Sequence, residues 1–439
     1  MEELEWKQRS KERWLKEGDL NTKFFHKVAN MRRRINHIGS LELDGVVVVD
    51  PVEIESGLVK HFTVAFQKDK EPAPTWYDED LRKVPDNLWL DLEAPFSERE
   101  IQKAIFGAAT DTSPGSDGFS LRFFEEFWPV VKEDLLDKFQ GFQYGSHSIG
   151  CLNATFLALI PKKEGAIRVE EFRPISLVNG SYKMIAKVLA NRLKSAIDSM
   201  IEANQTAFIP GRILHDGFMI VQECIIAAHK DKRKGVVIKL DFSKAYDNVR
   251  WDFLLHLLQC HGFEPNWIRM VKECITSAKA CVLVNGKPCG FFHMNKGLRQ
   301  GDPLSPLLFI VAVNAFSRLM SMAEREGWVK VLPICNRGPT TFHVQYADDT
   351  VVLCEAESLS IRGIKFVCTC SLSGLKINFQ KSAMLGIHME DRELQYYASI
   401  FGCQVQQFPT RLLGLPLHLG SLRKSDWNPL VTRFEKRLF

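Results

Sequence analysis

The chain has 439 residues, of which 45% are hydrophobic and 25% charged, a balance that excludes disordered and fibrous classes and leaves length for two or three domains. Its net charge is only +4, so the whole molecule carries no strong field. The stretch from Lys7 to Arg34 is nonetheless rich in lysine and arginine; such a run is most often a solvated helix face, and it can also lie along a phosphate backbone.

The eleven cysteines form no CxxC pair and no Cys/His knuckle. Neither a disulfide framework nor a structural zinc is expected, which points to a reducing intracellular compartment, nucleus or cytoplasm. Arg32-Arg33-Arg34 is too short to decide between the two. The start, Met1 to Glu5, is acidic and unlike a signal peptide. The apolar run Pro306 to Val313 falls short of the roughly 18 residues a membrane span needs, so no membrane partner is expected.

In chain order, residues 1 to about 38 read as helix, with Trp6, Trp14, Leu15, Phe24, Phe25 and Val28 among charges. Ile38 to Val49 alternates like two short strands around Asp44-Gly45. Gln67 to Pro74 reads as linker, and Ser97-Glu-Arg-Glu100 has the pattern of a helix-opening capping box. From Ser113 to Leu419, strand-like runs (Phe156 to Ile160, Val236 to Leu240, Val282 to Asn285, Val351 to Leu353) alternate with helical ones, and the last residues to Phe439 have helical spacing. The class is mixed α and β. No phosphate loop and no GxGxxG fingerprint is present, which weakens any nucleotidase or dinucleotide reading.

Two acidic sites suggest chemistry. In Phe342 to Cys354, β-prone runs flank Asp348 and Asp349, which should sit at a hairpin turn. An Ala-Asp-Asp alone is far more often a solvated turn; the functional reading is that divalent cations cancel the repulsion of adjacent carboxylates. Asp241 ends the buried-looking strand Val236 to Leu240, where capping is the commoner use and metal binding the sharper one. Nucleotidyl transfer needs two Mg²⁺ about 4 Å apart, and a strand-end Asp beside a hairpin Asp can bridge them.

From Ser113 to Leu419 the chain resembles the reverse transcriptase domain of LINE-type (non-LTR) retrotransposons, particularly those of plants. The resemblance is carried, in the family's order, by Ser113-Pro-Gly-Ser-Asp-Gly-Phe119, Leu159-Ile-Pro-Lys-Lys163, Glu171-Phe-Arg-Pro-Ile-Ser176, Asn204-Gln-Thr-Ala-Phe-Ile-Pro-Gly-Arg212 and Leu240-Asp-Phe-Ser-Lys-Ala-Tyr-Asp247. It continues through Gly297-Leu-Arg-Gln-Gly-Asp-Pro-Leu-Ser-Pro306, Tyr346-Ala-Asp-Asp349, Gly374-Leu-Lys-Ile-Asn378 with Lys381, and Leu413-Gly-Leu-Pro416.

That resemblance implies an α+β fold: right-hand polymerase palm and fingers with a truncated thumb, after an N-terminal helical and β-hairpin extension. The expected layout is 1–66 extension, 67–96 linker, 97–235 fingers and start of palm, 236–400 palm, and 401–439 primer-grip region and start of thumb. It implies an RNA-directed DNA polymerase using two Mg²⁺, with Mn²⁺ tolerated, on an RNA template with a DNA or RNA primer and deoxynucleoside triphosphates.

Residue by residue, Asp241, Asp348 and Asp349 match the metal acids. Tyr246 matches the bulky position beneath the incoming sugar that rejects a 2′-hydroxyl, and Phe242 falls in the same substrate-binding string. Gln300 and Gly301 match the segment against the nascent base pair. Lys162, Lys163 and Arg173 match the fingers cations that meet the triphosphate. Lys381 matches the lysine that protonates the leaving pyrophosphate. Leu413 and Gly414 match the primer-gripping hairpin.

The chain departs from the family pattern at Thr112-Ser113 and Ser116, where Lys-Ala and Pro are usual, and at Leu412, where an aromatic is common. Full elements also encode an endonuclease before the polymerase and further sequence after it, so the chain reads as one portion of such an element. The alternatives are a catalytically inactive RNA-binding remnant and an RNA-copying RNA polymerase; Tyr246 speaks against the latter.

Overall fold

The computed structural model describes residues 22–70, 80–107, 112–332, 343–370, 373–420 and 422–438. Trp6, Trp14, Leu15, the part of the basic run before Thr22, the linker residues from Glu71 to Pro74, and the residues Phe342 and Phe439 lie outside the described residues. Of the expected N-terminal helix, the described part is the helix Thr22–Asn36.

In chain order the strands are β1 (Leu41–Leu43), β2 (Val46–Val48), β3 (Ala154–Pro161), β4 (Phe172–Val178), β5 (Gly235–Leu240), β6 (Lys279–Val284) and β7 (Lys287–His293). They continue with β8 (His343–Tyr346), β9 (Asp349–Glu355), β10 (Ala383–Ile387), β11 (Gln404–Val405), β12 (Thr410–Leu412) and β13 (Leu415–Leu417). The chain divides into two compact units, Met1–Glu71, Asp86–Ser195 and Phe263–Pro306 in the first and Pro72–Pro85, Ala196–Gly262 and Leu307–Phe439 in the second.

In the first unit, β1 and β2 form the expected hairpin, with Asp44 and Gly45 at φ 51° and 82°, the left-handed pair that two-residue hairpins demand. Asp50 caps the next helix, Pro51–Ala65, by accepting from Glu53 N, and Ile54, Leu58 and Phe62 are its buried stripe. The helix Glu98–Phe106 opens on Ser97, whose side chain accepts from Glu100 N. The stretch 67–96 includes a short helix, Trp89–Glu93. The main sheet has the order β4-β3-β6-β7.

The motif Ser113 to Gly118 has a structural use here. A Cβ on Gly115 would stand 2.5 Å from Asn179 N, so only glycine allows this loop to meet the chain there. Asn179 Oδ1 accepts from Ser116 Oγ and Asp117 N, and Asp117 in turn accepts from Gly180 N at the start of the helix Gly180–Met200.

The second unit is built on a sheet of order β11-β10-β5-β9-β8. β5 is central, and Val236, Val237 and Ile238 are all fully buried, as a strand covered on both faces requires. The helix Leu214–Lys230 contributes Phe218, Val221 and Ile225 to one core with Val237, Val351, Leu353 and Leu385. The helix Ser305–Arg325 is longer than its unbroken apolar run, and it is long and apolar enough to cross a membrane. Yet 78% of its apolar window is buried in the fold, the environment of a core helix.

Candidate active site

β5 runs antiparallel to β9 with Leu240 facing Thr350. One residue further, Asp241 therefore comes level with Asp349, and level residues of antiparallel strands share a face. β8 and β9 form a hairpin in which Tyr346 pairs with Asp349, leaving Ala347 and Asp348 as its two-residue turn. All three acidic residues are exposed.

The electrostatics agree with that proximity. The Asp349 carboxyl titrates above the ordinary carboxylate value, first through partial desolvation, then through Asp348 beside it; Lys239 opposes the shift and Asp241 adds to it. Among the described residues no three His, Cys, Asp or Glu side chains form a ready-made metal cage. The donor set is still one of hard oxygens under mutual repulsion, which suits divalent cations that accept carboxylate ligands.

Asp241 is held by its backbone. Its N–H donates to Ser382 Oγ at 3.1 Å, and its carbonyl accepts from Asn378 N at 2.7 Å. Ser382 Oγ donates to Asn378 O, and Lys381 N donates to the same carbonyl. The exposed Lys381 thus sits on the turn that anchors the strand end.

Tyr246, on the short helix Ala245–Asn248, stacks on Phe309 with centroids 4.3 Å apart and planes at 12°. Burial, and next the charge of Asp348, push its hydroxyl well above the usual tyrosine value. Phe242 points inward: it is 7% exposed and meets Phe316 edge-on.

Leu413 and Gly414 form the turn between β12 and β13, at φ 54° and 84°. The hairpin is tied to β5 by Lys239, whose Nζ donates to Arg411 O at 2.6 Å.

The other anticipated residues belong to the first unit. Lys162 Nζ donates to Glu170 O, and Lys163 pairs with the buried Glu171 at 2.9 Å. That lysine is the main reason the Glu171 carboxyl falls to about 2. Arg173 is exposed on β4, level with Ile160 of β3. Gln300 accepts from Ser176 N through its carbonyl at 2.7 Å, and a Cβ on Gly301, at φ 114°, would stand 2.7 Å from Ser176 O. Glycine is therefore required here by the protein's own backbone. Sequence reasoning missed Lys239, Ser382 and Gln205, whose partners are remote in the chain.

A helix-backed, largely antiparallel sheet that offers acids from a strand end and from the adjacent hairpin is the palm of a nucleic-acid polymerase. The family model for reverse transcriptase (RNA-dependent DNA polymerase) matches residues 160–417, more than half of the chain, and the chain belongs to that family. The chain is 26% identical over 356 residues to the "Transposon TX1 uncharacterized 149 kDa protein" of Xenopus laevis, a match covering 79% of this chain and 26% of that protein. It is 27% identical over 325 residues to the "Retrovirus-related Pol polyprotein from type-2 retrotransposable element R2DM" of Drosophila melanogaster, covering 74% of this chain and 29% of the relative. A Pol polyprotein of a type-1 retrotransposable element R2 from Popillia japonica is 24% identical over 300 residues, covering 67% and 40%. These relatives put the chain among reverse transcriptases of LINE-type, non-LTR elements, and it spans less than half of each of the three.

Proposed function

We propose that this chain adds deoxynucleotides to a primer under the direction of an RNA template. Asp241 and Asp348 would hold two Mg²⁺, with Asp349 completing the acidic cluster and Mn²⁺ as a tolerated substitute. Bound there, such ions activate the primer hydroxyl and neutralise the triphosphate and leaving pyrophosphate. Tyr246, fixed by its stack on Phe309, blocks a 2′-hydroxyl. The family pattern assigns the triphosphate to Lys162, Lys163 and Arg173, the nascent pair to Gln300 and Gly301, pyrophosphate protonation to Lys381 and the primer end to Leu413 and Gly414. The RNA/DNA hybrid would be held by shape and backbone contacts. We read the helix Lys424–Leu438 as the start of a thumb.

The observation that supports the reading is the antiparallel register that sets Leu240, next to Asp241, opposite Thr350, next to Asp349, with Asp348 in the adjoining hairpin turn. Primer extension on a generic RNA template tests it: Asp348→Asn should lose at least about 1,000-fold in rate at unchanged melting temperature. Extension equal to the parent's refutes the assignment, and RNA retention without any incorporation by the parent would favour a binding remnant.

A further inference from the structure

Ala347, the first turn residue of the acid hairpin, has φ 56°, a left-handed conformation that costs a residue with a Cβ and persists only when its surroundings impose it. Both of its backbone polar groups meet one side chain. Gln205 Oε1 accepts from Ala347 N at 2.9 Å, and Gln205 Nε2 donates to Ala347 O at 3.4 Å. Oε1 also accepts from Ala207 N at 3.0 Å; two N–H donors at one atom settle which end of the amide is oxygen. Gln205 is fully buried and Ala347 is 6% exposed, so water does not compete for these bonds.

The backbone that carries this side chain is itself anchored on both sides. Arg212 Nη1 donates to Gln205 O at 2.7 Å and to Glu202 O at 2.6 Å, gathering the loop around one guanidinium. The segment then runs beside β8, with Gln345 N donating to Asn204 O and Thr206 N donating to Gln345 O. Below the turn, Gln345 Oε1 accepts from Ser317 Oγ and Gln345 Nε2 donates to Thr350 Oγ1.

We infer that Gln205 is a positioning residue for the polymerase site: its carboxamide holds Ala347 in the strained turn that aims Asp348 and Asp349 toward Asp241. This rests on the proposed polymerase function, whereas the clamp itself is a property of the hairpin and can be read without activity.

The test compares the parent, Gln205→Met, Ala347→Gly and the double variant, each checked for folding by thermal melting. Hydrogen exchange of the peptide spanning 343–350 reads the clamp. RNA-templated extension at varied Mg²⁺ and nucleotide concentration reads its consequence. Gln205→Met should exchange faster in that peptide, lose about tenfold in kcat with little change in nucleotide KM, and need more Mg²⁺ for half-maximal rate. Glycine accepts the turn without a clamp, so adding Ala347→Gly should restore most of the kcat and the Mg²⁺ requirement. A purely structural glutamine would lower the melting temperature without moving the Mg²⁺ requirement, and the glycine would not rescue it; either result overturns the inference. If Gln205→Met does not fold, Gln205→Glu, which retains the acceptor for both amides but turns an oxygen toward Ala347 O, is read in the same way. Should the parent incorporate no nucleotide, the polymerase reading fails, and unchanged exchange in the Gln205 variant would separately refute the clamp.

Discussion

Lys239 Nζ bonds the carbonyl of Arg411 at 2.6 Å, joining the strand that leads to Asp241 to the hairpin we assign to the primer. Burial lowers the Lys239 pKa while Asp349 opposes the change, and Lys239 in turn restrains the upward shift of Asp349. One ammonium therefore serves both the hairpin and the acidic cluster.

Lys239→Met should weaken the hold on the primer, raising its apparent Kd by roughly fivefold. It should also move the acid limb of the pH–rate profile to higher pH, because the cation that favoured ionised Asp349 is gone. A profile superimposable on the parent's would show that the ammonium does not act on Asp349.

Asp349→Asn separates stability from activity. The folded-state pKa of Asp349 is raised, so ionisation disfavours the fold: the penalty is absent below the ordinary value and grows as pH rises from there through the folded one. At neutral pH and without divalent ions, the variant should melt a little higher than the parent, by about 2 °C. In acid that advantage should vanish, and Mg²⁺ should raise the parent's melting temperature more than the variant's. Differential scanning calorimetry with and without chelator checks both points.

Gly374→Ala should be poorly tolerated. The position has φ +81°, and a Cβ there would stand 2.2 Å from Asn248 O and 2.7 Å from Arg250 Cγ. A loss of about 2 kcal/mol or more is expected in urea unfolding; a variant of parental stability would contradict the close approach.

Burial drives the His343 pKa down to about 3, and the ring meets Asn204 on the segment beside β8. A histidine depressed from 6.5 to about 3 leaves its stability contribution intact above 6.5 and loses it as pH falls through that window. The urea midpoint of the parent should fall with acidification more steeply than that of His343→Gln between those limits. Parallel curves would show that His343 is not held neutral.

Signals in the sequence were legible where their cause is local. Asp44-Gly45 announces its hairpin through backbone freedom, Ser97 its helix through a cap three residues long, and the apolar run Val236 to Ile238 its covered strand. The acids were readable as a pair of sites because strand ends and hairpin turns are short-range features. Gln205 was not, since its meaning depends on Ala347, 142 positions later, and no periodicity encodes such a bond. Gly301 matches the family's segment against the nascent base pair, and the structure supplies Ser176 O as an intramolecular reason for the same glycine. Phe242 shows a similar limit: a motif gives a residue's place in the chain, while packing against Phe316 decides where its ring goes.

The most direct measurement is single-turnover primer extension on an RNA template in Mg²⁺, comparing the parent with Asp241→Asn after both are shown to melt alike. Loss of at least about 1,000-fold in rate is predicted, because one carboxylate of the proposed cation-binding set is gone. Extension by Asp241→Asn at the parent's rate would contradict the shared-cation site.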